Sequence, residues 1–442
     1  MKLISVTDSD QIEWFREGDV WPREESADIT SKLVEAGALR PGNSGLRLRF
    51  VGAIAFEDRT LVSLPKIKTA MAPSDVHRVA LRAMRRYRQW VPTHHAPAPY
   101  LNESPEKGPV SSLAATDWLV RDFATHGLIR RTEAAFEQNC RGITDWKRTV
   151  EGVDPVISRG RPVYLDTINR RALADNRNFA TRLHCYLLER LSAAFGPVLD
   201  VEPIILDHEP VERLEALPSV EECEARLVFE QRTTYSQRGL ELLNIMLAAV
   251  RAIEIETTNG LTLFGTSSFH HVWEAACASG FGNDVDSWMS CIPRPVWTSR
   301  DGARQEGDSF IPDLVTPMDD GVLLIGDAKY YRPLMPPRLA NVPGVNDVAK
   351  QIWYKQSLAD QAQVRGYHAI QNVFLFPADL DHITWIGRVE LPLGGEWVDA
   401  VCVPFAEALA IYSGEKSHVP SVWRQDLSRT LSRSSEHART QS

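Results

Sequence analysis

Two hydrophobic rhythms alternate along the chain. In "SGLRLRFVGAIAFEDRTLVSLPKI", Leu46, Leu48 and Phe50 alternate with Arg47 and Arg49, the pattern breaks at Glu57-Asp58-Arg59, and it resumes at Leu61. A period of two predicts a β-hairpin with one wet, basic face. "PSDVHRVALRAMRRYRQW" instead places Val76, Val79, Ala80, Ala83, Met84, Tyr87 and Trp90 at spacings of three and four, which predicts a helix with Ser74 as its N-cap. Arg78, Arg82, Arg85 and Arg86 fall on its other face. Such a face is either solvated or placed against phosphates, and Arg78, Arg82 and Arg85 are the phosphate-contact candidates.

Five prolines in "VPTHHAPAPYLNESPEKGPV" predict a linker. "SSLAATDWLVRDFATHGL" reads as a helix closed by Gly127, and a further helix is expected from Arg170 to Ala194. From Tyr235, "GLELLNIMLAAVRAIE" is helical again, and the C-terminal "SRTLSRSSEHARTQS" has no apolar period. The organisation expected is therefore α/β, of the α+β multidomain kind. A β-rich N-terminal domain with its basic helix spans 1–95, a linker 96–111 and a helical, wing-like middle region 112–198. An acidic insert follows at 199–230, then the C-terminal domain 231–422 and a disordered tail 423–442.

Composition changes this picture little. In 442 residues, 43% hydrophobic and 24% charged residues describe a globular chain. No apolar run reaches the roughly 18 residues of a membrane span, and "MKLISVTDSD" is too polar for a signal peptide, so a cytoplasmic protein without a membrane partner is expected. Six scattered cysteines predict reduced thiols rather than a disulfide framework. Charge is more informative. The net charge is −9, yet ten acids and two arginines between Leu199 and Glu230 account for −8 of it. A nearly neutral remainder can still carry a basic groove for a polyanion.

The candidate chemistry lies in "FIPDLVTPMDDGVLLIGDAKYY". Val322 to Ile325 reads as a buried strand, and Asp327 and Lys329, two apart, share one of its faces. "TPMDDG" is turn chemistry, and a hairpin centred on Asp320 would set Asp313 opposite Asp327. Two carboxylates so close repel unless a cation intervenes; hard oxygen donors favour Mg²⁺, with Mn²⁺ able to substitute. Lys329 beside them could orient a nucleophile, a layout suited to metal-assisted phosphodiester hydrolysis. The plain alternative is an Asp/Lys salt bridge at a strand end. A third acid is expected from a short helix in "GTSSFHHVWEAACASGFG", capped by Ser267 or Ser268 and ended by Gly280. Its apolar stripe is Phe269, Val272, Trp273 and Ala276, which leaves Glu274 beside His270 and Cys277, open to a metal, zinc or plain surface role. Downstream, "NDVAKQIWYKQSL" predicts a helix on which Lys350, Gln351 and Tyr354 could reach a scissile phosphate or a water, or remain surface.

The "PD…DAK" pattern with a helical glutamate upstream resembles the PD-(D/E)xK nuclease superfamily. More narrowly, "FVGAIAFEDRTLVSLPKI", "GITDWKRTV", "FGTSSFHHVWEAAC" and "DVAKQIWYKQSL" look like LlaJI-type restriction endonucleases, relatives of the McrC nuclease subunit. The resemblance spans roughly residues 45 to 405. It implies a restriction-endonuclease-like core of mixed β-sheet flanked by helices, and a phage-defence restriction-modification subunit cutting double-stranded DNA. Asp313, Asp327 and Glu274 would be metal ligands, Lys329 the catalytic lysine, and Gln351 an assisting residue, with Lys350 near DNA. An McrB-like AAA+ GTPase would be a separate partner, since no Walker-type "GxxxxGK[ST]" occurs here. A homodimer is compatible with this reading. The rival readings are a non-catalytic adaptor between DNA and a motor on the same fold, and a DNA-repair or RNA-processing nuclease.

Overall fold

The computed structural model describes residues 12–56, 59–90, 100–101, 112–391 and 395–440, apart from the side chains of 88–90, 100–101, 257–259 and 434–440. The linker expected at 96–111 lies outside them except for Tyr100–Leu101, which form a short strand. The chain divides into two compact units: one within Asn102–Phe264 together with Ala55–Thr60, the other comprising Ile12–Ile54, Leu61–Leu101 and Gly265–Ser442. This division cuts across the boundaries expected from composition.

In the first unit the helices Ser112–His126, Phe179–Leu199, Val220–Gln231 and Gln237–Asn259 pack together. A three-stranded antiparallel sheet and an exposed hairpin, Val156–Ser158 with Arg161–Val163, form the wing. The helix expected from Arg170 starts later: Ile168–Ala174 is a strand paired with Thr132–Gln138, and the helix begins after Asn178, whose side chain accepts from the Thr181 amide at 3.2 Å. The acidic stretch is not a separate insert. Glu209 pairs with Arg130, Glu212 with Arg177 and Arg182, and Glu230 with Arg131, so arginines of the middle region answer its charge. The long helix from Gln237, expected to open the last domain, packs here against Ser112–His126.

The second unit begins with β1 (Ile12–Arg16), α1 (Ala27–Glu35), β2 (Leu39–Gly42), β3 (Gly45–Leu48), β4 (Val51–Phe56), β5 (Thr60–Leu64) and α2 (Pro73–Trp90). The hairpin expected to have one wet face is two structures. β2 and β3 pair with Arg40 opposite Arg47, whereas β4 and β5, the latter including Thr60 and Ser63, are buried along their whole length. Gly265 sits against β4, where a Cβ would fall 2.2 Å from the Val51 carbonyl oxygen. The α2 helix starts one residue before Ser74, with Pro73 in its first turn, where a missing amide hydrogen costs nothing.

Next come α3 (Phe269–Phe281), β6 (Leu314–Pro317), β7 (Val322–Ala328), α4 (Val345–Val364), β8 (Ala369–Ala378), β9 (Thr384–Glu390), β10 (Trp397–Pro404), α5 (Phe405–Ser413) and α6 (Pro420–Thr440). The sheet runs β6-β7-β8-β10-β9, parallel at β7/β8 and β8/β10 and antiparallel at both edges. Helix α4 packs on β7, β8 and β10, while α3 packs on β6 and β7. A mixed sheet flanked by helices is thus what the chain forms. Two local expectations change. Helix α3 continues past Gly280 to Phe281 and ends at Gly282, in the left-handed region at φ +77°. The expected tail is helical through Thr440: Trp423 and Leu427, four apart, are both buried, and Gly280 makes room for the Trp423 ring.

Candidate active site

Strands β6 and β7 pair in the register Leu314↔Gly326, Val315↔Ile325 and Thr316↔Leu324. The turn is closed by the Met318 amide donating to the Val322 carbonyl at 2.8 Å, with Gly321 at φ +78°. One further step of this ladder sets Asp313 against Asp327, as the hairpin centre at Asp320 predicts. The Asp313 carboxylate accepts from the Ala328 amide at 2.8 Å. Burial first, and then the negative charges of Glu274 and Asp327, push its carboxyl well above the usual range, with the Ala328 hydrogen bond offsetting part of that.

Lys329 leaves the end of β7 with its amide donating to the Leu375 carbonyl at 2.9 Å. Its Nζ lies 2.7 Å from Asp327 Oδ2 and 3.0 Å from Asp347 Oδ1. Burial works against that charge, but Asp327 and Asp347 outweigh it and hold the ammonium above its ordinary value. Asp347 was missed by sequence reasoning. Its available signal was the position three residues into α4 after Gly344, whose amide also donates to it at 3.2 Å. Asp347, Gln351 and Tyr354 then recur at spacings of four and three along one face of α4. Burial, followed by Asp313 and Asp327, raises the Tyr354 phenol, so this face runs from Lys329 toward the aspartates. Gln351 between them is fully buried, and among the described residues neither polar atom of its side-chain amide has a hydrogen-bond partner.

Glu274 on α3 is close enough to Asp313 to raise its pKa, but its direct partner is His271 Nδ1 at 3.0 Å rather than His270 or Cys277. Glu274, Asp313 and Asp327 do not converge on one another as tightly as expected. Among the described residues the group whose ligand atoms all lie within 4.8 Å is His270, His271 and Glu274. Burial and the neighbouring His271 lower the His270 pKa. Cys277 is buried, and its thiol is raised by burial, Asp313 and Glu274.

The remaining candidates sit elsewhere. Lys350 lies over the Phe310 ring, 4.9 Å from its centre. Arg78 pairs with Asp75 at 2.5 Å and Arg82 with Glu415 at 2.7 Å, while Arg85 is partly buried. None of these three lines the cleft of about 460 Å³ beside Lys329 and Glu274. Its basic lining comes from Arg49, read in the sequence as part of a wet, basic strand face, and from Arg40 and Lys66, which motif reading passed over. Asp313, Asp327 and Glu274 offer the oxygen donors that a hard divalent cation takes, although among the described residues their ligand atoms do not all lie within 4.8 Å of one another.

Fold and site together describe a mixed α/β protein that gathers carboxylates and a lysine at the carboxyl end of a central strand. The pattern of the LlaJI restriction endonuclease family matches residues 50–393, and the chain belongs to that family. Among curated proteins it is 28% identical over 260 residues to the type II restriction enzyme BsuMI component YdjA of Bacillus subtilis (strain 168). That match takes in 57% of this chain, which spans 55% of the relative's length. Looser structural likenesses are to the refined half-complex from a tetradecameric assembly of Thermococcus gammatolerans McrB AAA+ hexamers with bound McrC and to the cryo-EM structure of the McrBC complex of the same organism. The first has 12% identity and a TM-score of 0.41, covering 95% of this chain and 99% of that one. The second has 10% identity and a TM-score of 0.23, covering 60% and 84%. Among the described residues no helix is long and apolar enough to cross a membrane.

Proposed function

We propose that this chain is the Mg²⁺-dependent, PD-(D/E)xK-type endonuclease subunit of a restriction system, hydrolysing phosphodiester bonds in double-stranded DNA. The observation that carries the reading is the gathering of Asp313, which accepts from the Ala328 amide at the end of β7, with Asp327 and its ion-pair partner Lys329 at 2.7 Å. Family membership supports the reaction class. Asp313 and Asp327 would hold the cation, with Glu274 at the edge of the site. A bound cation would supply positive charge for phosphate oxygens and make a water more acidic. Lys329, fixed by Asp327 and Asp347, presents its ammonium where negative charge develops on the phosphate. The amide of Gln351 is held ready to orient a water or phosphate oxygen, and the apolar packing around Tyr354 limits bulk solvent.

A separately encoded AAA+ GTPase as partner is part of this proposal. It rests on the resemblance to McrC-related nucleases and on the lack of a nucleotide-binding "GxxxxGK[ST]" in this sequence. The designation of the Bacillus relative as a component of a restriction enzyme fits a multi-subunit system. The test is plasmid cleavage by the chain with Mg²⁺, alone and with the GTPase and GTP. Asp327→Ala is expected to abolish cutting while leaving the melting temperature within a few degrees. Cutting retained by that variant would remove the assignment.

A further inference from the structure

The cleft is lined by Glu274 and Lys329, which the chemistry proposed above uses, and also by Arg40, Arg49 and Lys66, which it does not. Arg40 and Arg49 are exposed at the ends of β2 and β3, and among the described residues neither has a carboxylate at ion-pair distance. Lys66 is different, because its backbone is pinned from both sides. The Arg16 guanidinium donates to the carbonyls of Pro65 and Ile67 at 3.2 and 2.9 Å, and the Lys66 amide donates to the Tyr330 hydroxyl at 3.1 Å. Its Nζ lies over the Tyr330 ring, 4.2 Å from the centre. Tyr330 directly follows Lys329, so the rigid link that fixes one ammonium also ties it to the other. Glu17 offsets part of this charge, yet one glutamate does not balance three cations. Ser267, at the positive N-terminal end of α3, lines the same space.

We propose that Arg40, Arg49 and Lys66 form a second phosphate subsite, which holds the DNA backbone next to the phosphate presented to Lys329. Naming DNA as the ligand rests on the nuclease reading, while the subsite itself rests on the cleft. These are positioning residues: they hold the strand, and Lys329 faces the reacting group.

The experiment is equilibrium binding of a labelled DNA duplex of mixed sequence to the full chain in EDTA across a series of salt concentrations, so that no cleavage enters the readout. Arg40→Ala, Arg49→Ala and Lys66→Met are each expected to weaken binding by about threefold to tenfold. Each should also reduce the slope of log affinity against log salt by about 0.9 per lost phosphate contact. Lys66→Arg should retain affinity. Arg40 and Arg49 are exposed, so their variants keep the test independent of any folding defect at Lys66. Unchanged affinity and slope in the Arg40→Ala/Arg49→Ala double variant would overturn the subsite, as would a parent chain with no salt-dependent binding. Tighter binding of a matched RNA duplex would overturn its assignment to DNA. Cleavage surviving in Asp327→Ala would instead strike the nuclease reading and leave these binding results standing.

Discussion

Gln351 contributes a complete side-chain amide to a buried site, with no partner for either polar atom among the described residues. Such a group costs stability, on the order of 1–3 kcal/mol. Gln351→Met, of similar shape, should therefore raise the denaturant midpoint of the metal-free chain while lowering cleavage by roughly 10²-fold through lost positioning. Equal stability in the two proteins would show the amide to be satisfied. Glu256 gives a second residue-scale expectation. Burial pushes its carboxyl up to about 7, against hydrogen bonds from Ser112 and Thr262 that lower it. A raised folded-state value means that its contribution is intact below the unfolded value near 4.5 and is lost as pH climbs to about 7. The loss amounts to about 3 kcal/mol, and Glu256→Gln should flatten that part of the profile when melts are compared from pH 4 to 8. Asp313, Asp327 and Lys329 were legible in the sequence because a period of two and a short turn leave few registers. Asp347 and Lys66 were not. Their positions depend on where α4 begins and on contacts between residues far apart in the chain, which periodicity cannot report.

At the scale of elements, the helices with clean apolar stripes were the readable ones: α3 and α4 follow their spacing closely. Failures fell where long-range packing decides. Ile168–Ala174 is a strand because Thr132–Gln138 pairs with it, although its composition allows a helix. Helix α6 docks through Trp423, whose ring lies against Gly280 and Phe281 of α3, and through the buried Leu427, contacts that a polar, serine-rich segment does not announce. That docking is testable. A Cβ at Gly280 would lie 2.3 Å from the Trp423 ring, so Gly280→Ala should cost about 1–3 kcal/mol by overpacking. Adding Trp423→Leu should recover part of the loss in the same urea melts, and independent, additive effects would separate the two residues.

At the scale of the molecule, two compact units imply two unfolding events rather than one. Calorimetry should show Mg²⁺ raising the transition of the unit that holds Asp313, by about 2.7 kcal/mol at a hundredfold excess over the dissociation constant. The transition of the unit that holds Glu256 should stay in place; movement of both together would mean that they unfold as one. The excess acid was visible in the sequence, but its meaning was not, because the arginines that answer it stand up to 100 positions upstream, as Arg130 and Arg131 do for Glu209 and Glu230. The link from the Tyr330 hydroxyl to the Lys66 amide has a consequence in time. On the ribosome, β1 to β5 emerge long before β7, and the unit between them is complete before Tyr330 is made. Vectorial synthesis therefore leaves the early strands waiting for their partner, and the acids, the lysine and the basic lining come together only near the end of translation. A nascent chain stalled before residue 313 would hold the residues of the first unit complete and lack Asp313, Asp327 and Lys329.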